Sequence, residues 1–461
     1  MSNNYTARSS SPGVLDRIFL VVNAHPRIHL LAALFLTACA TSRQPIQVTQ
    51  PTQVKVQRSR GRDVPKVGMR WYSDFWRAIA EGNLEVAWII ADSRDERRFV
   101  DALEVMLSGN SVGAESAVTP LLASSDSMVR RGARVTYGAL LSANGHWGRL
   151  ASFADSLTDS TARVLRDDAG VERWAPTFRN IETRAVFVDT LVVLPLTRSA
   201  TGVPVIPVVL NGVTKRFWLD TGSSITIISS ATAIDCKVMP LESDTLQLLT
   251  AVGRLPARPA IAHSARVGGL QLTDAPAMIV DASALRMRGG DATAPEEKID
   301  GVIGFDVIRA LDITIDDVRN RVVIRRPVPV ESKVPHNISW YGVPIVTVVS
   351  EKGSVLHLAL DTGAEETFGT LSMVVKTGAH WAPAERRRIR GFGGSAVERG
   401  LVIPSVRLFL GKVPLALQRV FLYDAQYPTI FVIDGTLGAD LGRGAVLRID
   451  MTNGRLQVSP Q

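Results

Sequence analysis

The chain of 461 residues carries 52 Lys and Arg against 44 Asp and Glu, a formal net charge of +8, and has only two cysteines, Cys39 and Cys236. So few thiols exclude a disulfide-built scaffold, and a chain of this length has ample apolar residues to bury several cores instead. The basic excess comes with no basic-aromatic module, so it points away from nucleic acid and reads as solubilising charge.

Residues 1–38 read as a targeting segment rather than as part of a fold. Arg27 and His29 precede an apolar run from Leu30 to Leu36, too short to cross a bilayer. The run ends in Leu36-Thr37-Ala38-Cys39, which resembles the lipobox of bacterial lipoproteins. The resemblance implies a signal peptide removed before Cys39, acylation of Cys39 (palmitate among the chains), and a lipid-anchored protein of the cell envelope. Ala40 and Thr41 follow with no Asp beside the Cys, which in that family implies the outer membrane, periplasmic side. Residues 39–70, rich in Gln, Pro, Thr and basic residues, read as a flexible tether. The cluster Arg58, Arg60, Arg62, Lys66 and Arg70 would face an anionic lipid surface. Cys236 reads as a small buried apolar side chain.

Residues 71–180 show helical periodicity, with Phe99, Leu103, Met106 and Leu107 on one face and Met128, Val129, Ala133, Leu140 and Leu141 on another. Breaks at Glu81-Gly82-Asn83, Ser108-Gly109-Asn110 and Ala143-Asn144-Gly145 suggest antiparallel helix pairs, loosely similar to helical-repeat modules. Such a module either offers a groove to a protein partner or simply packs on the rest of the chain. Gly109-Asn110-Ser111-Val112-Gly113 has the letters of a nucleophile elbow, but it joins two helices where that elbow needs a strand before it.

From Ala185 onward, β-branched and alternating runs punctuated by Asn, Gly and Pro predict an all-β region. It contains an internal repeat. Phe217-Trp218-Leu219-Asp220-Thr221-Gly222 ends one apolar strand and Leu358-Ala359-Leu360-Asp361-Thr362-Gly363 ends another, 141 residues on. Downstream stand Asp300-Gly301-Val302-Ile303-Gly304-Phe305-Asp306 and Asp434-Gly435-Thr436-Leu437-Gly438-Ala439-Asp440, 134 residues apart. A third matched piece follows each, Ile315-Asp316 through Arg321-Val322 and Ile449-Asp450 through Arg455-Leu456. Matches in the same order at nearly constant offset mark a duplication. Pro327-Val328-Pro329-Val330-Glu331 reads as the joint, giving β units at 185–328 and 335–461. The histidines are scattered with no metal-ligand spacing, and no phosphate loop or dinucleotide fingerprint is present, so no metal and no cofactor are expected.

An apolar strand running into Asp-Thr-Gly, followed by an apolar-apolar-Gly segment, resembles the aspartic peptidases of the retropepsin and pepsin type. The resemblance covers 185–461 twice over. It implies a multi-domain α+β chain: a helical, helical-repeat-like module followed by a bilobal acid-protease fold of two tandem retropepsin-like lobes. It implies an aspartic endopeptidase acting on a peptide or protein substrate, with Asp220 and Asp361 sharing one proton and activating water. The alternative is a non-catalytic envelope scaffold lipoprotein that retains the fold. Thr221, Gly222 and Ser223, with Thr362 and Gly363, would support the dyad. The threonines would bond across to the other lobe, and the glycines would allow the sharp turn and close backbone approach. Ser223 has Ala364 as its counterpart, and the resemblance implies that the Ser223 hydroxyl donates to Asp220 and lowers its pKa. Gly391, Phe392, Gly393 and Gly394 resemble the retropepsin flap, and Val252 and Gly253 hold the matching place in the first repeat.

Overall fold

The structure is a computed structural model, and it describes residues 40–42, 74–157, 175–243, 245–288, 296–330, 336–423 and 429–459. The expected signal segment, Cys39 and the tether from 43 to 70 lie outside the described residues. The chain is mostly β with a helical N-terminal part.

The helices are started by side-chain caps. Asn83 accepts from the Val86 amide before Leu84–Ile90. Ser93 and Glu96 form a reciprocal capping box on Arg94–Leu107, and Asp126 accepts from Met128 and Val129 at the head of Ser127–Ala143. Each cap satisfies an amide that the first helical turn leaves unpaired. Asn110 likewise caps Ser111–Val118 through the Gly113 amide at 2.9 Å, so the Gly-x-Ser-x-Gly stretch is a helix start between two helices. Arg94–Leu107 buries one stripe, Phe99, Val100, Leu103 and Met106. Ser127–Ala143 is buried over much more of its circumference because it lies between the other helices and the β region. Gly132 in it brings the Phe99 ring close, since a Cβ there would sit 2.8 Å from the ring edge. Thr136, one turn on, meets the hydroxyl of fully buried Tyr341 at 2.8 Å. The Val432 amide donates to Ala80 O at 2.6 Å, a second tie between helices and strands.

The β region builds the same local arrangement twice. Val213–Leu219 pairs antiparallel with Pro204–Leu210 and parallel with Gly301–Ile303. Val355–Leu360 pairs antiparallel with Val343–Ser350 and parallel with Gly435–Leu437. In both cases a strand buried on both faces at its end delivers an Asp into a turn, which fits its nearly continuous apolar sequence. Strand alternation sends Phe217 and Leu219 into one core and Trp218 into another. The core around Trp218 also contains Leu141, Trp147, Leu150 and Ala151 of the helices.

A separate five-stranded sheet runs in the order Arg455–Ser459, Val446–Asp450, Asp312–Asp316, Arg321–Arg325, Leu191–Pro195. Its middle pair joins the two copies of the third matched piece, with Asp312 opposite Asp450 and Asp316 opposite Val446. Arg448 reaches Asp312 with two nitrogens at 2.8 Å each, a fork that fits a carboxylate.

Candidate active site

Each Asp-Thr-Gly turn is fastened to its own sheet first. The Asp220 amide donates to Ile303 O at 3.1 Å and the Asp361 amide to Leu437 O at 2.9 Å. The turn then folds its amides onto its own carboxylate. Gly222 and Ser223 donate to Asp220 Oδ1 at 2.9 and 3.0 Å. Gly363 and Ala364 donate to Asp361 Oδ1 at 2.9 and 3.1 Å.

The two turns are locked to one another by their threonines. Thr221 Oγ1 donates to Leu360 O at 2.8 Å and accepts from the Thr362 amide at 3.0 Å. Thr362 Oγ1 donates to Leu219 O at 2.7 Å and accepts from the Thr221 amide at 3.1 Å. Four reciprocal bonds in a buried setting fix the turns face to face, and each donor and acceptor has its partner. The approach is so close that only glycine fits: a Cβ on Gly222 would overlap the Asp361 carboxyl, and one on Gly363 would overlap the Asp220 carboxyl. Asp220 and Asp361 are therefore brought together from sheets that the sequence separates widely.

Asp220 is fully buried and Asp361 almost so. Burial, then the charge of Asp361 and the hydrogen bond with it, push the Asp220 carboxyl well above the usual range; the Ser223 and Gly222 amides pull the other way and are outweighed. The Ser223 hydroxyl corrects the expectation placed on it. It donates to Ile225 O at 2.8 Å, and what reaches Asp220 from Ser223 is the backbone amide. Ala364 supplies the same amide to Asp361, so the Ser/Ala difference is not transmitted to the carboxyls through a hydroxyl. Among the described residues no N–H or hydroxyl donor reaches Asp220 Oδ2.

Two hairpins each lean on the opposite half of the chain. Leu246–Thr250 and Gly253–Val267 turn at Ala251-Val252, which pack against Ala364, Ile389, Val402 and Phe421. Ala382–Gly391 and Gly394–Leu410 turn at Phe392-Gly393. Gly393 and Gly394 hold φ of +87° and +149°, a turn conformation that favours glycine. Phe392 is fully buried with its ring 5.5 Å from Trp218, and the Gly393 amide donates to Ala284 O at 3.1 Å.

Behind the turns stand two further acids. Asp306 accepts from the Thr226 amide and hydroxyl at 3.2 Å each, and Asp440 does the same for Thr367 at 3.0 and 2.8 Å. Burial pushes Asp306 up to about 6, against these bonds and the nearby Arg309 charge, and it also raises Asp440. The matched Gly-Phe-Asp and Gly-Ala-Asp pieces contained this pair, but the pattern alone did not say that they brace the strand leaving each turn. Trp218, whose buried Nε1 has no partner among the described residues, was legible only as an apolar strand residue.

Comparison with curated proteins finds no match. The family model described as Aspartyl protease matches residues 206–307, from within the strand Pro204–Leu210 to the short helix Phe305–Ile308 that contains Asp306, and the match supports an aspartyl protease domain over that stretch.

Proposed function

We propose that the chain is an aspartic peptidase formed by two tandem retropepsin-like lobes, 185–328 and 335–461, each contributing one Asp to a shared dyad. The observation that carries this reading is the pair of buried carboxyls held face to face by reciprocal threonine bonds. Two carboxyls in this position cannot both be ionised, so they share one proton at moderate pH and titrate as a pair. The ionised member takes a proton from water as the water oxygen attacks the scissile carbonyl carbon. The protonated member gives its proton to the carbonyl oxygen. Collapse of the resulting diol breaks the C–N bond, the nitrogen receives the proton taken from water, and one proton remains on the pair. The buried floor and the two hairpin covers support this chemistry by excluding bulk water, so a cover must open for a peptide to enter.

Digestion of casein by the part of the chain after the tether tests the reading. Cleavage is expected from the native protein, and its loss is expected in both Asp220→Asn and Asp361→Asn. Full activity in either variant rules out a shared dyad. No observation favours the non-catalytic scaffold.

Attachment of the protein to the bacterial membrane through Cys39 is part of the proposal and rests on the sequence motif alone. Cys39→Ser should remove lipid label and shift the protein out of the membrane pellet. The helical part is proposed to be a helical-repeat module whose inner surface packs on the lobes, which leaves its outer face to a protein partner.

A further inference from the structure

Beside the candidate dyad lies a cavity of about 30 Å³, large enough for a water or two but not for an extended chain. One wall is the catalytic turn itself, Gly222 and Ser224, and Gly222 is the residue whose Cβ would overlap the Asp361 carboxyl. The opposite wall is Ala143 and Trp147, at the junction of Ser127–Ala143 with Trp147–Ser156, and Trp340 closes the remainder. This outer wall is fixed in place. Trp147 is only 8% exposed and shares a core with Ile225 and Trp218, and Thr136 bonds Tyr341 in the same helix–strand joint.

Two polar groups line the cavity without a use of their own. The Ser224 hydroxyl is buried and has no hydrogen-bond partner among the described residues. Arg309 also lines it, and among the described residues its side chain forms no hydrogen bond or ion pair. Asp306 is near enough to stabilise the charge of Arg309, but both carboxylate oxygens of Asp306 are taken by Thr226. A guanidinium and a hydroxyl that line one cavity are the complement of a carboxylate. A peptide that lay across the two carboxyls and left past Gly222 would run into a cavity lined by Ala143 and Trp147 of the helical part, which would stop its chain there.

We infer that this cavity is a blind subsite that receives the C-terminal carboxylate of the substrate, with Arg309 as its counter-charge and the helical part as its back wall, so that cleavage falls near carboxyl termini. This deepens the peptidase reading and rests on it. It assigns the helical part a role in substrate choice and narrows the endopeptidase expectation to the last few residues of a chain.

The test uses peptides chosen from casein fragments that the native protein releases, synthesised with a free carboxylate and as the amide. Cuts should fall within about three residues of the free terminus, given about 3.4 Å of span per extended residue. Amidation should lower kcat/KM roughly 10- to 100-fold, the range for losing a charge-assisted hydrogen bond. Arg309→Gln should bring the acid-to-amide ratio of kcat/KM down to about one, and Arg309→Lys should restore part of the preference. N-acetyl amino acids should inhibit the native protein, and their amides should do so at least about ten times less well, a measurement that needs no variant to fold. Equal rates on acid and amide by the native protein, or equal slowing of both by Arg309→Gln, overturn the inference. If the native protein cuts neither casein nor any peptide, the peptidase reading itself falls.

Discussion

Thr221 and Thr362 commit their polar groups to the opposite half of the chain, so each substitution there breaks two bonds at once. Thr221→Ala would strand the Leu360 carbonyl and the Thr362 amide in a buried site. A loss of about 1–3 kcal/mol per unsatisfied group is expected, and Thr221→Ser should recover most of it; urea midpoints measure both. Gly222→Ala should cost both activity and stability, because its methyl would overlap the buried Asp361 carboxyl. A lower kcat on casein together with a loss of about 1–3 kcal/mol in urea unfolding is the expected result. Asp306 makes a separate prediction about pH. Its folded pKa of about 6 lies above the ordinary carboxyl value of 3.8, so the folded state binds this proton more tightly than the unfolded chain does. Its contribution to stability is full below about 4 and is lost as pH rises through about 6. Against Asp306→Asn, which cannot titrate, the native protein should lose on the order of 1–3 kcal/mol across that window. Thermal melts of the two proteins from pH 3.5 to 7 give the difference directly. At this scale the Asp, Thr and Gly positions were legible because the duplication repeated them. The Ser223 hydroxyl was not, since its direction depends on the Ile225 carbonyl and not on spacing. Arg309 was illegible for a different reason: the residues that enclose it come from helices and strands remote in sequence.

At the scale of elements, the helix breaks fell where Gly and Asn stand, because those residues supply the caps and the positive φ that end one helix and start the next. The two hairpins were legible as turns from their position and glycines. That each leans on the opposite half could not be read, because it depends on which surface faces Phe392 and Val252. Phe392 buries its ring among residues of the first half, so Phe392→Ala should loosen the cover far more than the fold. Phe-to-Ala at full burial costs about 3–5 kcal/mol where the surroundings cannot follow, and here that loss should appear mainly as easier opening of the hairpin. Amide exchange across Gly391 to Gly394 should accelerate strongly while exchange in Val355–Leu360 stays slow. Equal acceleration in both would mean that the hairpin and the sheet open as one unit.

For the molecule as a whole, the helical part is fastened to the strands by burial and by a few well-placed hydrogen bonds. Thr136→Val keeps the shape but leaves the Tyr341 hydroxyl without its partner, with an expected loss of about 1–3 kcal/mol. The five-stranded sheet has a further consequence, for how the chain folds. Its central pair, Asp312–Asp316 with Val446–Asp450, joins segments more than a hundred residues apart, and so does the pairing of Arg321–Arg325 with the edge strand Leu191–Pro195. Contacts of such high order cannot form until the intervening chain is available and its loop entropy has been overcome, so assembly is slow. Until Val446–Asp450 arrives, one edge of Asp312–Asp316 stays open with its amides and carbonyls unpaired, a surface on which other chains can pair. The first Asp turn cannot be locked before Thr362 is in place. On the proposed peptidase reading, a partly made chain holds only one of the two dyad carboxyls, and it should stay inactive until the second half has folded against the first.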